Sequence, residues 1–460
     1  MCGVFGIYAP ERDIARLTYF GLYALQHRGQ ESAGIATSEA GQLVTLRDMG
    51  LVAQVFNEER LQGLGGEAAI GHCRYSTTGS THWANAQPIV QHGKVRSVAL
   101  GHNGNLTNTA QLREQLRERG VRFDSTSDTE VIAALIAHDD RPLDEAITAT
   151  MAEIRGAFSA VVLSEGKLVG FRDPDGIRPL AVGRLGDDWL LASENCAFDL
   201  LGAETVRELD PGEAVVIDEH GCRSLEAPRS HNQSLCIFEY IYFARPDSSL
   251  GQVELHGARV RMGELLAQEA PVQADIVMPI PDSGTPAAIG FARESGIPYM
   301  EGLIKNRYVG RTFIQPAQAM RDQGIRAKFN PLGEIAGQRV AVVDDSIVRG
   351  STTSQIVAML FDAGATEVHV RISSPPIVSP CFYGIDMADQ SELIAADREI
   401  EDVRAQIGAT SLAYLSLEGL QSATAQPTTS VCRACLTGEY PTPIPDDLKL
   451  RKLRFEPTPA

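Results

Sequence analysis

The chemistry of this 460-residue chain can be built outward from Cys2. Once Met1 is removed, Cys2 carries both a thiol and a free α-amine. Such an amine has a reference pKa of about 8 and can act as general base beside its own nucleophile. Residues 71–79 (GHCRYSTTG) place Arg74 in a polar, flexible loop, suited to a bidentate grip on a carboxylate. Residues 101–105 (GHNGN) offer the Asn103 side chain and the Gly104 N–H as two donors for an oxyanion, with glycine allowing close backbone approach. Asp128, at the start of a helical stretch, can receive an α-ammonium group. Each residue also has a plainer reading: a chance cysteine, an exposed arginine, an Asn-Gly turn, a helix cap.

A second group lies at 340–353 (VAVVDDSIVRGSTT), which reads as a strand, the pair Asp344-Asp345, and a small-residue turn opening a helix. Ligands of parallel α/β sheets gather at the carboxyl ends of strands, and a helix N-terminus presents unpaired N–H groups to a phosphate. Ser346, Gly350, Ser351 and Thr352 add hydroxyls and room. No lysine follows the glycine, so the loop is not that of the nucleotide triphosphatases. Adjacent acids suit ribose hydroxyls and, directly or through water, Mg²⁺. The turn Pro281-Asp282-Ser283-Gly284 ends the preceding strand, a second place for pyrophosphate and its metal, with Ser283 and Gly284 facing it. Residues 305–330 gather Lys305, Arg307, Arg311, Arg321, Arg326 and Lys328 against one acid, Asp322. That stretch is either a plain surface loop or a lid that closes over pyrophosphate and excludes water.

Four cysteines form a third group. Cys432 and Cys435 make a Cys-x-x-Cys pair, while Cys236 and Cys381 stand far upstream. Four thiolates from three segments can hold tetrahedral Zn²⁺ or a [4Fe–4S] cluster, or pack without metal. Cys73, Cys196 and Cys222 read as packing residues.

These groups need two scaffolds. Length predicts two domains, 2–230 and 231–460, with a polar linker near 225–234. The first half mixes short strands (95–100, 158–163, 167–171) with helices (109–119, 128–138), an α+β layering. The second alternates strand and helix: strands 274–280, 339–343 and 367–372, helices 285–294 and 352–363. That is an α/β pattern with a mainly parallel sheet. The last fifteen or so residues read as poorly packed. Formal charge is −18, which argues against a general nucleic-acid or anionic-membrane surface. No run approaches the roughly 18 apolar residues of a membrane span, and the chain start lacks a secretory signal, so a cytoplasmic protein is expected.

The start CGVFGIY, then QHRGQESAGI (26–35), HCRYSTTG, GHNGNL and STSDTE (125–130), together resemble the glutaminase domain of N-terminal-nucleophile amidotransferases. That resemblance implies a four-layer αββα fold. It implies that Cys2 attacks the glutamine amide, that Asn103 and Gly104 hold the oxyanion, and that Arg74 and Asp128 hold the substrate carboxylate and ammonium. Arg28 is a supporting candidate for the same pocket. Some relatives carry a cleaved leader; here Met1 alone precedes the cysteine, so a methionine aminopeptidase would be enough. Residues 340–353 resemble the ribose-5-phosphate signature of type I phosphoribosyltransferases. Nearly the whole chain resembles the glutamine phosphoribosylpyrophosphate amidotransferase family. The implied reaction forms 5-phosphoribosylamine, the first committed step of purine synthesis, with ammonia passed internally. The phosphoribosylpyrophosphate set would include Asp344, Asp345, Ser346, Gly350, Ser351, Thr352, Ser283, Gly284, Lys305 and Arg307, with Ser283, Asp344 and Asp345 on Mg²⁺. The branch with cysteines at these four places carries a [4Fe–4S] cluster, here expected on Cys236, Cys381, Cys432 and Cys435 and structural in role. A homotetramer inhibited by purine nucleotides is also implied.

Overall fold

The computed structural model describes residues 1–76, 79–225, 233–307, 325–387, 389–427 and 430–445. The expected linker core, most of the basic stretch at 305–330 (including Arg311, Arg321 and Asp322) and the tail from 446 lie outside the described residues.

The first half stacks two antiparallel sheets. One has seven strands in the order Glu204–Glu208, Ala181–Leu185, Asp188–Ala192, Gly3–Tyr8, Ala68–Arg74, Ser32–Glu39 and Gln42–Met49. The other has six, in the order Gly221–Leu225, Ala214–Asp218, Lys167–Arg172, Gly156–Ser164, Ser97–Leu106 and Ile89–His92. Side chains alternate between the faces of a strand. Val4 therefore meets Ala99, Val161 and Leu168 between the sheets, while Phe5 and Ile7 face outward with Leu22 of the helix Ile14–Ala24. On the second sheet Leu100, Phe158 and Val162 turn the other way, toward Ile132 and Ile147 of the helices Asp128–Ala137 and Leu143–Glu153. Burial of both sheet faces explains the continuous apolar runs, and the layers are helix, sheet, sheet, helix.

The second half is built on four parallel strands, Ile276–Pro279, Arg339–Asp344, Glu367–Ile372 and Ser411–Tyr414. The helices Thr285–Ser295 and Ser351–Asp362 follow the first two. Their strand ends bring the 281–284 turn beside the acid pair. An added Cβ on Gly284 would lie 2.5 Å from the Val343 carbonyl, so only glycine permits this approach. A short parallel pair, Leu235–Cys236 with Val431–Cys432, ties the end of the described chain to the start of this half.

The halves share one apolar core, in which Met1, Ala157 and Ile177 pack with Leu235, Ile241, Ile377 and Tyr383. No helix among the described residues is long and apolar enough to cross a membrane.

Candidate active sites

Cys2 immediately precedes the central strand of the seven-stranded sheet. Its nitrogen donates to Asn103 Oδ1 at 3.1 Å, joining the two sheets at one end of the sandwich. Asn103 is fully buried, and its Nδ2 has no hydrogen-bond partner among the described residues. The Cys2 thiol lies 3.5 Å from the Tyr75 carbonyl. Asn103 and Gly104 sit inside the ten-residue strand Ser97–Leu106, so the Asn-Gly pair is not a turn. Gly104 has φ +144°, and a Cβ there would stand 2.0 Å from the Ala157 carbonyl oxygen. The cross-strand neighbour thus requires glycine at this donor.

Arg74 departs from the expected flexible loop. It ends the strand Ala68–Arg74, is 2% exposed, and donates to Ser80 O at 3.2 Å and Glu31 Oε2 at 3.4 Å. Strand pairing with Ser32 fixes it there. Asp128 opens its helix behind the Ser127 cap, and its Oδ2 accepts from the Leu106 N–H at 3.0 Å. One carboxylate oxygen is thereby tied to the strand that bears Asn103. Burial holds His72, on the strand that Arg74 ends, down to about 3 and therefore neutral. Burial also pushes the Cys73 thiol up to about 12, with Cys2 adding to the effect, and its Sγ donates to Leu25 O at 3.1 Å. Cys73 is a packing residue in this setting.

Arg28 is placed differently from the substrate-facing role first expected. It is fully buried behind Cys2, and its Nε donates to the Cys2 carbonyl at 3.0 Å. Its two terminal nitrogens meet Glu239 at 2.7 and 3.1 Å and, in a very short contact, Glu194. With four of its five N–H donors so committed and its side chain fully buried, Arg28 serves the Cys2 main chain and the two acids instead of lining an open pocket. Burial opposes its charge, but Glu239 and then Glu194 outweigh that and raise its pKa. Glu239 and Glu194 escaped the sequence reading, although an acid inside the apolar run CIFEYIYF (236–243) is a visible signal.

Met1 is present and buried, with its sulfur against Arg178. Burial lowers its terminal ammonium to about 5, helped by Arg178 and Arg28. With Met1 attached, the Cys2 nitrogen is an amide and has no basic lone pair.

At the second site Asp344 ends its strand and Asp345 follows, both buried. Burial pushes both carboxyls up, and Asp345 adds to the shift of Asp344. Asp345 takes hydrogen bonds from Ser283 and, at 2.5 Å, from the Ser346 hydroxyl. Gly350 caps the helix Ser351–Asp362, leaving Ser351 and Thr352 exposed at its first turn. Ser346, Gly350, Ser351 and Thr352 thus lie with the acid pair where the strand Arg339–Asp344 passes into the helix Ser351–Asp362. Lys305 ion-pairs with Asp282 of the neighbouring turn in a very short contact, and Arg326 reaches Asp362 at 3.1 Å. Lys305 and Arg326 thus pair with acids outside the stretch, and Arg307 is exposed.

The four cysteines come together. Cys236 and Cys432 are direct partners in the short parallel pair. Cys435 lies one turn further on, and its carbonyl accepts from the Val378 and Ser379 N–H groups at 2.9 and 3.1 Å, drawing the chain toward Cys381 alongside. Cys381 Sγ accepts from the Tyr383 N–H at 3.4 Å. Burial pushes Cys236 up to about 11 against the pull of Arg178, and burial with neighbouring thiols pushes up Cys432 and Cys435. Among the described residues, no three His, Cys, Asp or Glu side chains are gathered to hold a single metal ion as they stand.

Comparison with known proteins adds a family to this geometry. Residues 72–199 match the family model described as a glutamine amidotransferase domain. An amidophosphoribosyltransferase of Synechocystis sp. is 54% identical over 463 residues, covering 99% of this chain and 94% of that protein. A solved glutamine phosphoribosylpyrophosphate amidotransferase from B. subtilis, complexed with ADP and GMP, matches with TM-score 0.91 at 47% identity, covering 97% of this chain and 98% of that one. A structure described as the allosteric regulatory enzyme of purine biosynthesis matches with TM-score 0.93 at 46% identity, covering 99% of each. Likeness of this degree over almost every residue means that the chain belongs to the amidophosphoribosyltransferase family.

Proposed function

We propose that the two sites divide one reaction between them, and that Cys2 begins it. As a member of its family the chain is a glycosyltransferase with glutaminase activity. It forms 5-phosphoribosylamine, glutamate and pyrophosphate from phosphoribosylpyrophosphate, glutamine and water, the first committed step of purine biosynthesis. The freed α-amine of Cys2 takes the thiol proton, the thiolate attacks the glutamine amide carbon, and the resulting α-ammonium returns that proton to the amide nitrogen, which leaves as ammonia. Water then hydrolyses the thioester to glutamate. Asn103 Nδ2 and the Gly104 N–H stabilise the oxyanion; Arg74 and Asp128 hold the substrate's carboxylate and ammonium. The observation that carries this reading is the Asn103 carboxamide, whose oxygen takes the Cys2 nitrogen while its buried Nδ2 has no protein partner among the described residues.

At the second site Ser346, Gly350, Ser351 and Thr352 receive the 5-phosphate, and Asp344 and Asp345 the ribose hydroxyls. Ser283, Gly284, Lys305 and Arg307 face the pyrophosphate. Mg²⁺ held by Ser283, Asp344 and Asp345 would neutralise pyrophosphate charge as the C1–O bond breaks. The buried, hydrogen-bonded acid pair is a donor set of the hard oxygen type that this ion takes. Ammonia enters C1 from the opposite face, passing between the sites inside the protein.

The four thiols fit a [4Fe–4S] cluster better than zinc. A single tetrahedral ion at about 2.3 Å from each sulfur needs the thiols closely packed, whereas a four-iron cube spaces them widely. Four thiols drawn together from three segments, with Cys236 and Cys432 paired side by side, are a donor set of the kind such a cluster takes. The cluster would be structural. Homotetramer assembly, inhibition by purine nucleotides and a cytoplasmic setting belong to the same proposal; the ADP and GMP bound to the B. subtilis relative support the second.

The test is anaerobic pyrophosphate release from phosphoribosylpyrophosphate and Mg²⁺ with glutamine or ammonia, for wild type and Cys2→Ala. Loss of the glutamine reaction alone supports two coupled sites. No release with either donor from wild type refutes the transferase.

A further inference from the structure

Cys2 stands one residue from the chain start, where backbone is poorly ordered unless it is tied down. It has two main-chain ties: its nitrogen to Asn103 and its carbonyl to Arg28. Arg28 can serve as a fixed post only if its own plane is fixed. Two buried carboxylates fix it, and they come from different halves of the chain. Glu194 lies in the first half and is anchored by His27 at 2.7 Å, by the Ser248 hydroxyl at 2.7 Å and by the Arg245 N–H at 2.9 Å. Glu239 belongs to the second half, is fully buried, and sits between Arg28 and Arg178, the latter at 3.5 Å.

Glu239 is itself held by an unusual piece of backbone. It opens the π-helical turn Glu239–Phe243, a rare geometry that is frequently found at functional sites. Arg259, on the helix Leu255–Glu269, donates to the carbonyls of Tyr240, Glu239 and Ala244 at 2.8, 3.2 and 2.7 Å. That one buried guanidinium holds the widened turn open, so the Glu239 carboxylate is set by the core of the second half.

We propose that Glu239 is a positioning residue for the glutamine reaction: a carboxylate of the phosphoribosyltransferase half that, through Arg28, aims the main chain of the nucleophile in the other half. This rests on Cys2 being the nucleophile. Glu239 touches neither substrate and acts by orientation alone. Misplacement of a reacting group by about 1 Å costs on the order of 10²-fold in rate.

The experiment compares wild type, Glu239→Gln, Glu239→Asp and Cys2→Ala as full-length protein. Read-outs are glutamine-dependent and ammonia-dependent pyrophosphate release and the rate of Cys2 alkylation by iodoacetamide. We expect Glu239→Gln to lower kcat with glutamine by about 10- to 100-fold, with KM for glutamine within about twofold. Alkylation should slow by a similar factor, ammonia-dependent turnover should be unchanged, and Glu239→Asp should recover part of the loss. If Glu239→Gln does not fold, Glu239→Asp decides alone: a kcat loss confined to glutamine supports the proposal, and wild-type kcat overturns it. Equal loss with both donors, or a change in KM only, also overturns it. Cys2→Ala with intact glutamine turnover would instead remove the reading of the nucleophile on which the proposal stands.

Discussion

Asn103 holds the Cys2 nitrogen with one end of its carboxamide, at 3.1 Å, and points the other end at no protein atom among the described residues. A buried N–H without a partner costs about 1–3 kcal/mol, so its retention calls for a group that arrives during the reaction. Replacing Asn103 by Asp keeps an acceptor for Cys2 and removes the donor. Glutamine-dependent kcat should fall by about 10²–10³-fold, the range for loss of one oxyanion donor. Ammonia-dependent pyrophosphate release, measured on the same samples, should stay at the wild-type rate.

The acid pair should behave in the opposite manner. Asp344→Asn or Asp345→Asn touches the site that both nitrogen donors need, so both rates should fall together. Hydrolysis of glutamine to glutamate, followed without phosphoribosylpyrophosphate, should survive in each variant. Retained synthesis with ammonia would show that the pair does not serve the sugar phosphate.

His72 gives a pH dependence of stability. Burial lowers its pKa to about 3, whereas an unfolded histidine titrates near about 6.5. Between those values the unfolded chain binds a proton that the folded chain refuses. This contribution is therefore complete above about pH 6.5 and is lost as pH falls toward 3. Thermal melts should show wild-type Tm dropping more steeply between pH 6 and pH 4 than that of His72→Asn.

The cysteines separate metal from packing. Anaerobically purified protein should contain iron and sulfide with broad visible absorption, and Cys435→Ser should lose both. Because the Cys435 side chain is buried in the apolar core shared by both halves, a serine hydroxyl there is poorly accommodated and the variant should melt at lower temperature. Stoichiometric zinc with colourless wild-type protein would reject the cluster.

The strands and helices were legible because their apolar periodicity follows from burial on known faces. The run 339–343 appears as Arg339–Asp344, and the helix read at 128–138 as Asp128–Ala137. Asn103, Gly104 and the acid pair stand out in the sequence as candidates because each lies in a short contiguous motif. Arg74 was misread as a loop residue because a polar sequence does not reveal that Ser32 pairs with it across a sheet. Arg28 was misread because its partners, Glu194 and Glu239, are 166 and 211 residues away in sequence. Long-range charge pairing leaves no local pattern.

Glu239, wedged between Arg28 and Arg178, makes the two halves inseparable in a practical sense. A cut at 226–232 would look clean on paper, since the first-half strands end at Leu225 and the second half begins its pairing at Leu235. The excised front portion would keep both arginines and lose one of the carboxylates that neutralise them. It is not a cassette that can be grafted onto a foreign synthase and expected to work. Any transplant must carry the CIFEYIYF turn with it, so the unit that recombination can move is larger than the unit that sequence motifs delimit.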